Sequence, residues 1–263
     1  MSVHQLLIVL RNLSLAVFSC LLLACASQLP QRQIEPQPLD PRPASEPRTV
    51  ALLGATGMVG NFLLREALAR GLNVRALART PAKLNELRDR ITIIQGDARD
   101  PAAIKELLQG SDAVISALGP VKADGDAARF ISTTVTGNVL QAMGDAGISR
   151  YMVVSGAAVV MPGDERNLLG WWIRKLAQIG LRDTLRDKQA EYELLSRSPA
   201  DWILVRCPLI DSEPFHVAPR ASLQTPPAFR LRAGELARFM IDQIDSMEFS
   251  RQGPFLGSVD PGT

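Results

Sequence analysis

From Thr49 onward, short runs of consecutive apolar residues alternate with longer stretches in which apolar positions recur every three or four. The short runs, residues 50–53, 74–77, 92–94, 113–116, 151–155 and 202–206, are largely aliphatic and bounded by Gly, Pro, Asp or Arg. That pattern predicts strands buried on both faces. The longer stretches, 58–70, 81–88, 101–108, 127–146 and 182–196, predict helices. Pro81 and Pro101 suit first helical turns, where a missing N–H costs nothing. Gly71, Gly110 and Gly147 suit helix ends, because glycine accepts the left-handed conformation. Strand and helix in repeated alternation predict one α/β domain over residues 49–263, a doubly wound parallel sheet with helices on both faces.

Before Thr49 the pattern is different. Arg11 precedes a mostly apolar run over residues 12–24, which has the size of a signal peptide and is too short for a comfortable membrane-spanning helix. The run ends in Leu22-Leu23-Ala24-Cys25, which resembles the lipobox of bacterial lipoproteins. That resemblance implies acylation of Cys25 after removal of the preceding residues. Residues 1–25 are therefore expected to be a signal peptide, and the protein to be lipid-anchored in a bacterial cell envelope. A plain hydrophobic membrane anchor is an alternative. So is a misassigned start, which would leave the protein cytoplasmic. Residues 26–48 are rich in Pro and polar side chains and cannot bury enough surface to fold, so they read as an extended spacer.

Composition removes several function classes. The net charge is +2 over 263 residues, which gives no broad field for nucleic acid, and none is expected as a partner. His4 and His216 are the two histidines. A zinc site of several imidazoles is excluded, and a Ser-His-Asp hydrolase would have His216 alone to use. The cysteines are Cys20, Cys25 and Cys207, and cleavage before Cys25 would leave Cys207 without a disulfide partner.

The chemistry begins at Gly54-Ala55-Thr56-Gly57-Met58-Val59-Gly60, where three glycines follow a strand and open a helix. The first permits a tight turn, the second brings the backbone close to a pyrophosphate, and the third lets helix and strand pack closely. The N–H groups of the helix start face the anion. This is the signature of a Rossmann-like dinucleotide site when it stands between strand and helix. The second strand ends in Arg79-Thr80, where an NAD site commonly carries a carboxylate for the ribose 2′-hydroxyl. A cation and a hydroxyl suit a 2′-phosphate, which favours NADP and leaves NAD possible.

Seven pieces in order resemble the atypical short-chain dehydrogenase/reductase group, the NAD(P)-binding proteins related to NmrA and to flavin and biliverdin reductases. They are GATGMVG, LART, GDARD at 96–100, ISALGP at 115–120, GISRYMVVSGAA at 147–158, DWILVRCPLI at 201–210 and RAGELARFMIDQI at 232–244. The resemblance implies that Asp97 and Ala98 flank the adenine. It also implies that Ala117, Leu118 and Gly119 line the ribose side and that Pro208 and Leu209 lie near the nicotinamide. Read without the family, Asp97 is equally a turn or helix-capping residue.

Better-known members of this superfamily use Tyr-x-x-x-Lys, with a cation lowering the phenol pKa for proton transfer. Tyr151 starts a strand and is expected to point into packing. At the second tyrosine the order is reversed, Lys188-Gln-Ala-Glu-Tyr192, so Tyr192 is expected to be a packing residue as well. Lys188 stands where isoflavone-reductase-like relatives keep an active-site lysine. It is a candidate for bonding the nicotinamide ribose, or else an ordinary exposed helical lysine. Ser155 ends the fifth strand at the edge where open α/β sheets bind ligands, and is a candidate for holding a substrate carbonyl. Residues 168–181 carry Trp171 and Trp172 beside Arg174 and Lys175, and are expected to pack on the domain, cover a hydrophobic substrate or rest on a membrane. Two functions stay open: a membrane-tethered NADP-dependent oxidoreductase, or related isomerase or epimerase, acting on a small apolar molecule, and a non-catalytic dinucleotide-binding sensor or assembly partner.

Overall fold

In the computed structural model, residues 48–165 and 182–259 are described. The leader, most of the spacer and the Trp171-Trp172 segment lie outside the described residues. In chain order the elements begin with β1 (Thr49–Leu53), α1 (Met58–Ala69), β2 (Asn73–Ala78), β3 (Thr92–Gln95), α2 (Pro101–Leu108) and β4 (Ala113–Ser116). They continue with α3 (Ile131–Ala146), β5 (Arg150–Gly156), α4 (Arg182–Arg197) and β6 (Asp201–Cys207). The C-terminal part holds β7 (Leu209–Asp211), β8 (Arg220–Ser222), β9 (Arg230–Arg232), α5 (Ala233–Asp242) and β10 (Phe255–Gly257).

One sheet of eight strands runs in the order β3-β2-β1-β4-β5-β6-β10-β8 among the described residues. Every pairing in it is parallel except β8 with β10, so the doubly wound α/β class expected from the sequence is what the chain adopts. β7 and β9 form a separate parallel pair beyond the end of β6. Side chains on β1 alternate between two cores. Val50 and Leu52 join the apolar residues of α1 and α5, while Ala51 and Leu53 join those of α2, α3 and α4. The period of two along a strand thus sends one apolar run to both faces.

The helix ends carry out what the sequence asks of them. Gly71, Gly110 and Gly147 all have positive φ, and Asp100 accepts the N–H of Ala102 at 2.9 Å at the start of α2. Two expected helices differ. Residues 81–88 form a 3-10 helix at Pro81–Leu87 rather than an α-helix. The helix expected over 127–146 begins only at Ile131, preceded by a 3-10 stretch at Lys122–Ala128. Gly125 breaks that stretch with φ 54° and ψ −134°, a conformation reserved for glycine. Phe130 has no side chain to cap α3, and the cap comes instead from Asp187 on α4. No helix among the described residues is long and apolar enough to cross a membrane.

Two buried arginines tie loops to the sheet. Arg206 on β6 donates to the carbonyl of Gly253 at 2.7 Å and to Asp164 at 2.6 Å, and lies 3.5 Å from the ring centre of Phe255. Arg150 at the start of β5 pairs with Asp201 at 3.1 Å, and burial holds its guanidinium below the usual range. Next to Arg206, the free thiol of Cys207 is buried, and desolvation pushes its pKa up.

Candidate functional site

The C-terminal ends of β1, β2, β3 and β4 open onto a crevice of about 370 Å³. Its floor is the glycine loop. Gly54 sits at φ 84°, and a Cβ there would lie 2.8 Å from the carbonyl oxygen of Ala117, so any side chain would push the β1 and β4 loops apart. A Cβ on Gly60 would run into the Gly54 carbonyl. Close packing of α1 against the end of β1 therefore requires glycine at both positions. Thr56 and Gly57 are exposed on the crevice wall. The first turn of α1 holds no acidic side chain, and Gly57 offers no capping group, so its leading N–H groups and positive dipole end remain for an anion. That cradle fits a pyrophosphate.

Arg79 and Thr80 from the end of β2, Asp97 and Ala98 from the end of β3, and Ala117, Leu118 and Gly119 after β4 all line the crevice. Met58 and Val59 stand in the first turn of α1 and do not line the crevice, and Met58 is 44% exposed. Gly60 is buried behind it. Pro208 follows β6 and does not line this crevice. Three charged residues not singled out in the sequence also line it: Lys83, Arg99 and Asp124. The first two follow strand ends by a few residues, which is the signal that a cation-by-position search would have used. Asp124 is 45 residues from its partner Arg79 and left no local sign.

Asp97 is bound by its near neighbour. Arg99 donates from Nε to Oδ1 at 2.9 Å and from a terminal nitrogen to Oδ2 at 2.5 Å, and the backbone N–H of Arg99 also reaches Oδ1 at 2.9 Å. Those hydrogen bonds from the Arg99 side chain, opposed by partial burial and helped by the charge of Arg79, lower the carboxyl to about 2. Arg79 in turn donates to Asp124 Oδ1 at 2.6 Å.

Ser155 and Lys188 lie elsewhere, at the ends of β5 and on α4, and neither lines the crevice. Lys188 is not the exposed helical lysine that was one expectation. It is 7% exposed, and its ammonium donates to Glu191 Oε2 at 2.9 Å and to the carbonyl of Val154 at 3.1 Å. An ammonium has three protons, so one is left for a ligand among the described residues. Glu191 also accepts from Thr136 Oγ1 at 3.0 Å, and that hydroxyl lies 3.2 Å from the phenol oxygen of Tyr151. Burial raises the Glu191 pKa, opposed by Lys188. Burial likewise raises the Tyr151 phenol, which is bonded to Thr136 and Ser116. Next to Val154, Ser155 is 5% exposed, and its hydroxyl oxygen is buried without a hydrogen-bond partner among the described residues. Tyr192 packs edge-on against Trp202, with centroids 6.0 Å apart, as a packing residue does.

A family model described as NAD(P)H-binding matches residues 54–246, from the first glycine of the loop to just beyond α5. The chain belongs to the NAD(P)H-binding family. Its relatives extend the likeness unevenly. Over 130 residues, 46% of this chain, it is 28% identical to cinnamoyl-CoA reductase 1 of Oryza sativa subsp. japonica, covering 38% of that enzyme. The chain spans about two-fifths of the length of the curated relatives it matches. Among solved structures, a candidate exported protein from Burkholderia pseudomallei is 26% identical with a TM-score of 0.62, over 80% of this chain and 100% of that one. A short-chain dehydrogenase/reductase of Veillonella parvula DSM 2008 in complex with NADP is 17% identical with a TM-score of 0.65, over 82% of this chain and 96% of that one. The latter is a likeness of fold. This NAD(P)H-binding protein thus shares its fold with that dehydrogenase/reductase.

Proposed function

We propose that the protein is an NADP-dependent oxidoreductase of the atypical short-chain dehydrogenase type, acting on a small apolar carbonyl compound. The observation that carries this reading is the crevice itself: a glycine cradle at one end and Arg79, Lys83 and Arg99 at the other. The cradle suits a pyrophosphate, and the cations suit a phosphorylated ribose. NADP bound in the Veillonella protein supports the same choice here. Isothermal titration with both dinucleotides tests it, and tighter binding of NAD would defeat it.

When bound, a reduced nicotinamide supplies hydride. The chain's own contribution lies at the end of β5. Ser155 donates its unpartnered hydroxyl to the substrate carbonyl oxygen, which polarises the carbon. Lys188, fixed by Val154 and Glu191, directs its remaining N–H and its charge toward the oxygen on which negative charge develops. A proton from solvent water completes the alcohol. Cinnamoyl-CoA reductase 1, 38% of which this chain matches in sequence, bears a name consistent with carbonyl reduction. Loss of NADPH oxidation in Ser155→Ala, with NADPH affinity retained, is the expected result.

One observation favours a second reading. The ammonium of Lys188 is paired with Glu191, the Tyr151 phenol stands beside Thr136 in the core, and the Tyr192 ring packs on Trp202. A protein that holds the dinucleotide without turning it over would need nothing more. A panel of quinones, flavins and aldehydes with NADPH separates the two: tight binding with no turnover points to the sensor.

The proposed location is the cell envelope, through a lipid on Cys25 and the spacer of residues 26–48. The likeness to the candidate exported Burkholderia protein supports it. Mass spectrometry of the native protein reads the N-terminal modification and any retained nucleotide together. An unmodified Met1 would sink the anchor.

A further inference from the structure

The two arginines that line the crevice are held in different ways. Arg99 is bound to Asp97, two residues before it, through side chain and backbone together, so this pair is a feature of one tight turn. Arg79 is bound to Asp124, across the fold. β2 and β4 flank β1 on opposite sides, and strands two apart in a sheet stand roughly 10 Å from each other. Arg79 follows β2 and Asp124 follows β4, so their bond crosses above the loop that leaves β1. The Asp124 side chain is 16% exposed and that of Arg79 48%, so the carboxylate is seated and the guanidinium reaches out to it. Gly125, in its glycine-only conformation, turns the segment directly after Asp124.

A ribose 2′-phosphate carries a charge of about −1.5 to −2 at neutral pH, as other phosphate monoesters do. To reach Arg79 it must share the guanidinium with Asp124 or displace it, and it meets a like charge in doing so. A 2′-hydroxyl meets no such opposition. We infer that Asp124 is a specificity-determining residue: by occupying Arg79 across the crevice, it weakens binding of the phosphorylated dinucleotide and narrows the preference for NADP over NAD. The inference rests on the reading that Arg79 receives the 2′-phosphate.

Titration calorimetry of the full chain with NADP⁺ and with NAD⁺ tests it, using Asp124→Asn, with Asp124→Ser as a second variant of different shape and Arg79→Ala as a control. An exposed ion pair is worth little, so NADP⁺ is expected to bind about fivefold more tightly to both Asp124 variants, and NAD⁺ to change by less than about twofold. The same selectivity is expected with the probes 2′,5′-ADP and 5′-AMP. An unchanged NADP⁺/NAD⁺ ratio, or equal tightening of both, would overturn the inference. If Arg79→Ala removes the preference for NADP⁺ while both Asp124 variants leave the ratio alone, the cofactor reading stands and the role of Asp124 falls. If Arg79→Ala changes neither ligand, both fall.

Discussion

Asp187 caps a helix to which it does not belong. From α4 its Oδ2 accepts the N–H of Ser132 at 2.8 Å, and its Oδ1 accepts the N–H of Thr133 at 2.9 Å and the Thr133 hydroxyl at 2.6 Å. The first turn of α3 has no capping side chain of its own, so one buried carboxylate both satisfies it and locks α3 to α4. Because Lys188 is the next residue, the same contact sets the height of the ammonium above β5. Asp187→Ala is expected to cost about 2 kcal/mol, the sum of a lost cap and unsatisfied buried donors. That corresponds to a drop in melting temperature of roughly 6 °C for a domain of this size, read by thermal unfolding.

Lys188 and Glu191 should behave as one unit. Lys188→Met leaves a buried carboxylate without its cation and is expected to cost about 3–5 kcal/mol in urea unfolding. Adding Glu191→Leu removes the stranded charge, and the double variant should recover most of that loss. NADPH binding should survive in the double variant while turnover does not, since neither residue lines the dinucleotide crevice.

Gly60→Ala places a methyl group against the Gly54 carbonyl. The helix must move away from the strand, at an expected cost of about 1–3 kcal/mol. The N–H groups that face the pyrophosphate move with it. Fluorescence titration with NADPH should therefore show a larger loss of affinity in this variant than in Thr56→Ala, which disturbs no packing.

The Asp97 carboxyl, held at about 2 by Arg99, gives a pH signature. Its folded-state value lies below that of the unfolded chain, so it contributes stability that is fully present above about pH 4. That contribution is lost as the pH falls toward 2. Arg99→Ala should return the Asp97 midpoint to the ordinary carboxylate range in a carboxyl NMR titration, and should flatten the acid limb of the stability curve.

The parallel strands from β1 to β6 were legible because strands covered on both faces are written as largely apolar runs. Val50–Leu53 in β1 and Trp202–Cys207 in β6 are buried throughout. β7, β8 and β9 were not legible. Each has three residues, with sequences such as RAS and RLR that carry no alternation, and only their tertiary partners make them strands. α5 carries the helical period, with Ala233, Leu236, Ala237, Met240 and Ile241 buried, but it was not among the expected helices. At the site, the glycine spacing and the cation ending β2 could be read because their geometry is local. Asp124 and the burial of Lys188 could not, since both depend on elements distant in the chain meeting at one sheet edge.

Cys207, its thiol buried in the core at the end of β6 and its ionisation suppressed, bears on the redox surroundings that such a molecule tolerates. A sulfur that neither meets solvent nor forms thiolate is a poor target for peroxide, for mixed-disulfide exchange or for a misplaced cross-link with a neighbour. With Cys25 consumed by a lipid, the folded domain would pass from a reducing interior to an oxidising exterior without changing its covalent state. Through Cys207, redox surroundings therefore place no constraint on the folded domain.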